Sequence, residues 1–207
     1  MIVLSDNDIL FKLAHCNLLD ALPDYLGVPA ADICILPSCL FKLRRVLKND
    51  AVVLGRIETF CGKVTTLADD DIDPDTLTAL VDTGADAGEA LLAAKVCCTS
   101  ESYMVTGDKR AIKALCRLPE GNVRAALSRK ILCFEALVLG MLQRYGFAAM
   151  EQYFVSGRHC DSVLSMAFGA NRDEQHAIQC LTSYLQELQS TSEWILIGSA
   201  PTQTLAA

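Results

Sequence analysis

Apolar positions along the chain switch between short unbroken runs and stripes at helical spacing, and the switching defines the expected elements. Ile2-Val3-Leu4-Ser5 is an apolar run of strand length. Strands buried on both faces of a parallel sheet read this way, without alternation. Ile9, Leu10, Leu13, Leu18, Leu19 and Leu22 then recur at helical spacing as far as Pro23, which predicts a first helix. Residues 32–36 predict a second strand, and Pro37 with Ser38 opens a helix whose core stripe is Leu40, Phe41, Leu43, Val46 and Leu47. A further helix is expected over 51–63. The acidic stretch 69–75 predicts a solvated loop, with Pro74 in the first turn of a short helix near 76–81. The Ala/Leu-rich segment 85–98 is a strong helix former. Then come a strand at 103–106, an amphipathic helix over 108–118 ended by Pro119-Glu120-Gly121, a strand at 130–134 and an apolar helix over 135–145.

Strands that alternate with helices in this order predict an α/β fold on a mainly parallel sheet, with right-handed connections. Strand signals nearly stop after Gly146. We therefore expect an α/β domain over 1–146 and a helical extension with a tail over 147–207, the extension contributing two or three helices that end near Ser190. Its surplus of apolar positions, Met150, Phe154, Leu164, Phe168, Leu181 and Leu188 among them, calls for packing on the core or on another subunit. A homo-oligomer is thus an expected partner state. Residues 194–197 form a short apolar stretch, and 199–207 are expected to fray.

Composition narrows the class. The 207 residues are 52% hydrophobic, with mean hydropathy +0.30, enough to bury one sizeable core. No apolar run has the length of a membrane span, and Asp6 and Asp8 interrupt the N-terminal apolar stretch where a signal peptide would continue. Ten cysteines are scattered without a C-x-x-C pair, which predicts reduced, buried thiols and a cytoplasmic protein. His159, Cys160, His176 and Cys180 lack the compact paired spacing of a zinc site. A net charge of −7 argues against broad adhesion to nucleic acid, yet leaves room for a local basic patch. Lys42, Arg44, Arg45 and Lys48, joined by Lys109, Arg110, Lys113 and Arg117, are the candidates for holding a phosphate backbone.

Three acids carry the candidate chemistry. Asp6 follows the first strand, Asp108 follows the strand at 103–106, and Glu89 stands early in the helix between them. Ligands of open α/β sheets gather outside the carboxyl ends of the strands, so these positions predict a carboxylate-lined, metal-binding pocket. Each acid also has a plainer explanation. Asp6 and Asp108 precede helices, where a carboxylate caps free N–H groups, and Asp86 with Glu89 fits a capping box.

Taken with their flanks, Val3-Leu4-Ser5-Asp6-Asn7-Asp8, Ala85-Asp86-Ala87-Gly88-Glu89-Ala90 and Val105-Thr106-Gly107-Asp108 resemble the acidic motifs of PIN domains, a nuclease fold of toxins and RNA-processing enzymes. The resemblance covers about residues 1–143. It implies a three-layer α/β/α domain with a central, mainly parallel sheet, acting as an endoribonuclease on single-stranded RNA, and in toxin-like members a protein partner such as an antitoxin. It further implies Mg²⁺ or Mn²⁺ held by Asp6, Glu89 and Asp108, with Asp8 and Asp86 as supporting or alternative ligands, and attack of a metal-activated water on the phosphodiester. Hard divalent cations take oxygen ligands and suit that chemistry. One position departs: Lys42 stands where the family has a glutamate in the helix after strand two. A lysine there removes a carboxylate and presents a point charge to phosphate.

Two other functions are consistent with the residues. One is a catalytically impaired scaffold of the same fold that binds protein or RNA, as Lys42 and the extension suggest. The other is a haloacid-dehalogenase-like phosphatase, because Asp6-Asn7-Asp8 has that family's Asp-x-Asp spacing; against it, Ile112 occupies the place of the second aspartate in the late Gly-Asp-x-x-x-Asp motif.

Overall fold

The structure is a computed structural model and describes residues 2–68, 72–170 and 172–197. Five strands, β1 (Ile2–Ser5), β2 (Ile33–Ile35), β3 (Thr65–Thr66), β4 (Ser102–Thr106) and β5 (Ile131–Cys133), form one parallel sheet in the order β3-β2-β1-β4-β5. All of β2, β4 and β5 is buried, as the unbroken apolar runs require. The two exposed threonines of β3 close one edge, and had no apolar signal by which sequence could find them. At the other edge the short stretch Trp194–Ile197 runs parallel to β5, with Ile131 N–H donating to Ile195 O at 3.0 Å and Ile197 N–H to Ile131 O at 2.8 Å. That pairing covers backbone groups an edge strand would otherwise expose.

Helices α1 (Asn7–His15) and α2 (Leu22–Leu26) lie between β1 and β2, and α3 (Cys39–Val46) and α4 (Ala51–Cys61) between β2 and β3. Next come α5 (Pro74–Val81) and α6 (Ala87–Cys98) before β4, then α7 (Lys109–Leu115) and α8 (Asn122–Leu127) before β5. Helix α9 (Phe134–Tyr145) follows β5 directly, and α10 (Phe147–Gly157), α11 (Ser162–Ala167) and α12 (Glu174–Ser192) complete the chain. Both α1 and α6 pack on the central strands, α1 joined by α3, α4 and α10, and α6 by α5 and α8. The extension packs on the α/β core through α10 on α1 and α12 on α7 and α9, and Phe154, Leu164 and Leu181 are fully buried in the same apolar cluster as Leu13 and Leu137.

Three expectations are corrected. The first helix stops at His15, not near Pro23, because Asn17 takes φ 55°, a left-handed turn the α-helix cannot pass. Leu18, Leu19 and Leu22 are buried nonetheless, and Pro23 starts α2 instead of ending α1. On α3, Phe41 and Val46 are 73% and 64% exposed, while Cys39, Leu43 and Leu47 face the core. The helix after Gly107 ends at Leu115, and α8 was not expected at all. Asp69–Asp71 of the acidic loop and residues 198–207, with the tail, lie outside the described residues. No helix among the described residues is long and apolar enough to cross a membrane.

Candidate functional site

Strand order reverses beside β1: the chain leaves it toward β2 and β3, then returns to place β4 on its other side. Crevices at such a reversal, outside the carboxyl ends of the strands, are where open α/β sheets bind ligands. Asp6 follows β1 directly and Asp108 stands two residues beyond β4. The two are tied by Thr106, whose hydroxyl donates to Asp6 Oδ2 and accepts from the Asp108 N–H at 3.1 Å.

Asp6, Asp8, Lys42, Asp86, Glu89 and Asp108 line one pocket of about 150 Å³ together with Asn7, Leu36, Gly88 and Leu92. The three acidic motifs, with Asp6 and Asp108 102 positions apart, thus meet at one place. Gly88 allows α6 to approach, since a Cβ there would lie 2.9 Å from Leu36 Cδ1. A wider depression of about 520 Å³ at the start of α12 is lined only by Asp173–Gln175, Ile178 and Gln179, successive turns of a single helix, and gathers no comparable chemistry.

Every one of the three acids also caps a helix. Asp6 Oδ1 accepts from the N–H groups of Asp8 and Ile9 at 2.5 and 3.1 Å. Asp86 and Glu89 form a reciprocal capping box at 2.8 and 3.0 Å, and Asp108 Oδ1 accepts from Arg110 and Ala111. Aspartates at positions 50, 73, 161 and 173 cap α4, α5, α11 and α12 in the same way. Capping is therefore a general habit of this chain and by itself marks no site. Burial separates Asp6 from the rest: it is the only aspartate among the described residues in the buried class, 6% exposed.

That burial has an electrostatic cost. Loss of water raises the Asp6 carboxyl to about 6, against the opposing hydrogen bond from Thr106 and with added repulsion from Asp8. Desolvation likewise raises Glu89 to about 7, opposed by the Asp86 N–H and reinforced by Asp86, Asp108 and Asp6. Asp8 is raised by burial too, against the pull of Lys12. Lys12 itself is 8% exposed; burial disfavours its charge, but Asp8 and Asp161, at 2.6 and 2.9 Å from Nζ, more than restore it and hold the ammonium above the ordinary lysine range.

Mg²⁺ or Mn²⁺ fits this donor set in chemistry. Oxygen donors converge on the pocket, Asn7 Oδ1 is buried without a hydrogen-bond partner among the described residues, and the mutual repulsion of Asp6 and Glu89 is what a cation relieves. The geometry is not preformed: among the described residues no group of three His, Cys, Asp or Glu side chains is gathered closely enough to hold a metal ion, and Glu89 is engaged in its capping box.

The basic residues divide. Lys42 lines the pocket and Arg110 reaches Asp108 Oδ2 at 3.6 Å. Arg44 instead pairs with Glu58 on α4, and Lys109 with the buried Glu135 at 2.8 Å, under the Tyr184 ring. Arg45 is exposed. Sequence reading passed over Lys12, Asp161, Asn7 and Gly107. The Asp8–Lys12 spacing of four on one helix was a usable signal; nothing local announced Asp161. No protein-family model, curated protein or solved structure matches this chain.

Proposed function

We propose that this protein is a PIN-type endoribonuclease, cleaving single-stranded RNA with a divalent cation, Mg²⁺ or Mn²⁺, held by Asp6, Glu89 and Asp108. The observation that carries the reading is their convergence: three distant acids, among them a buried Asp6 and a Glu89 whose carboxyls are both raised, share a pocket at the reversal of a parallel sheet. Capping explains each acid singly but gives no reason for Asp6 to be buried. The packing of α1 and α6 on the central strands supports a three-layer α/β/α arrangement. A bound cation would supply positive charge to the in-line displacement at phosphorus. The chain's own residues do the rest. Thr106 orients Asp6 and Asp108, Asn7 Oδ1 offers a further oxygen, and exposed Lys42 and Arg110 are placed to draw the phosphate backbone to the pocket. The phosphatase reading has less behind it, because Ile112 stands where its late motif needs a second aspartate. Incubation of the purified protein with single-stranded RNA and Mn²⁺ tests the proposal: cleavage no greater than that of an Asp6→Asn/Asp108→Asn variant refutes it.

A second reading, a catalytically impaired scaffold of the same fold, is favoured by one observation: Lys42 stands in the pocket where a fourth carboxylate would serve the cation. Calorimetry decides between them. Micromolar Mn²⁺ binding abolished by Asp108→Asn excludes the metal-free scaffold.

A further inference from the structure

Lys12 is the only lysine in the buried class among the described residues, and its ammonium gathers four parts of the chain. An ammonium has three donors. Here Asp8 Oδ2 lies at 2.6 Å, Asp161 Oδ2 at 2.9 Å and Gly107 O at 3.5 Å, and the Phe134 ring covers a further side with its centroid 4.8 Å from Nζ. These partners belong to α1, the N-cap of α11, the β4–α7 turn and the start of α9. Asp161 caps α11 with its other oxygen, at 2.8 and 2.9 Å from the Val163 and Leu164 nitrogens. Gly107 stands between Thr106, which holds Asp6, and Asp108. A Cβ there would collide with Asp8 Oδ2 and lie 2.9 Å from Lys12 Nζ, so any larger residue would have to push the ends of that ion pair aside.

We propose that Lys12 is the positioning residue of the acidic pocket: its ammonium ties α11 of the C-terminal segment to the turn that carries Asp108, and it keeps Asp8 as an ion-pair partner, not a cation ligand. The second half of this statement rests on the divalent-cation reading above; the first half does not. A cation drawing Asp8 Oδ2 away would take the nearest partner from the buried ammonium and leave Asp161 alone to offset its charge, and weakening a buried ion pair is costly. The pocket therefore takes one divalent cation, through Asp6, Glu89 and Asp108, and the helical extension is an integral part of the site.

Asp161→Asn is the suitable perturbation, because an asparagine Oδ1 still caps α11 while the charge is lost. Amide spectra of the full chain and Mn²⁺ titrations are recorded for the wild type, Asp161→Asn, Asp8→Asn and Asp108→Asn. Asp161→Asn is expected to move the amide signals of Gly107 and Asp108 as well as those of α11. Asp8→Asn is expected to leave Mn²⁺ affinity within about threefold, and Asp108→Asn to lower it by about tenfold or more. Unmoved Gly107 and Asp108 signals overturn the positioning role. A tenfold loss with Asp8→Asn, or two Mn²⁺ per wild-type chain, overturns the assignment of Asp8. If the wild type takes up no Mn²⁺, the ribonuclease reading and the Asp8 assignment fall together, while the positioning role is still decided by the amide signals.

Discussion

Replacing Asp6 by asparagine is expected to stabilise the protein at neutral pH. The carboxyl rises from 3.8 in the unfolded chain to about 6 in the fold, chiefly through burial. A raised acid binds its proton more tightly in the native state, so stability is fully present below about pH 4 and is lost as pH rises through about 6. Two units correspond to about 3 kcal/mol at pH 7, and to roughly 0.5 kcal/mol at pH 4. Asparagine keeps an oxygen for the N–H groups of Asp8 and Ile9 and can meet Thr106 with its amide, but carries no charge to desolvate. The advantage of Asp6→Asn should therefore grow by about 2 kcal/mol between pH 4 and pH 7, an increase on the order of 4–8 °C in Tm for a chain of this size. Urea unfolding of both proteins at several pH values measures it. A variant less stable than the wild type at pH 7, or a difference that does not change with pH, would refute the claim that Asp6 is held in the fold against its own charge.

The remaining expectations concern the same end of the sheet and its support. Mn²⁺ at 100 times its dissociation constant should stabilise the wild type by about 2.7 kcal/mol at pH 7 and far less at pH 5, where Asp6 and Glu89 hold protons; thermal unfolding with and without chelator shows it. Lys42→Glu should raise Mn²⁺ affinity about tenfold, on the order of 1.4 kcal/mol, by replacing a positive charge with an oxygen ligand, and calorimetry that finds no gain counts against Lys42 facing the cation. Gly107→Ala should cost about 1–3 kcal/mol in urea unfolding, because the added methyl presses on the Asp8–Lys12 pair. Lys109→Met should cost about 3–5 kcal/mol by stranding Glu135, which is 3% exposed, whereas Glu135→Gln should cost clearly less.

Several elements were legible because their signals are local. Unbroken apolar runs gave β1, β2, β4 and β5 to within a residue or two, and helical spacing gave α3 to α7 and α9. The capping box at Asp86 and Glu89 was readable three residues apart, and it formed as expected. Errors fell where one pattern serves two structures. Leu18, Leu19 and Leu22 continue the stripe of α1 in number but reach the core through turns, since the core rewards burial and not helicity. Phe41 and Val46 look like stripe residues, yet α3 buries only the side that meets α1 and α4.

By itself the sequence determined the alternation of strands and helices, the parallel sheet they imply, and which acids stand at strand ends and helix starts. Those properties depend on spacing along the chain, and spacing is written in the residues. Tertiary structure alone decided that Asn7, Leu36, Gly88 and Leu92 complete the pocket that Asp6, Glu89, Asp108 and Lys42 line, and that Asp161 reaches Lys12 across 149 positions. It also decided the electrostatics. An aspartate that caps a helix in water and one that caps a helix in the core have the same sequence signature, and only desolvation by the surrounding fold turns the second into a carboxylate poised near neutral pH.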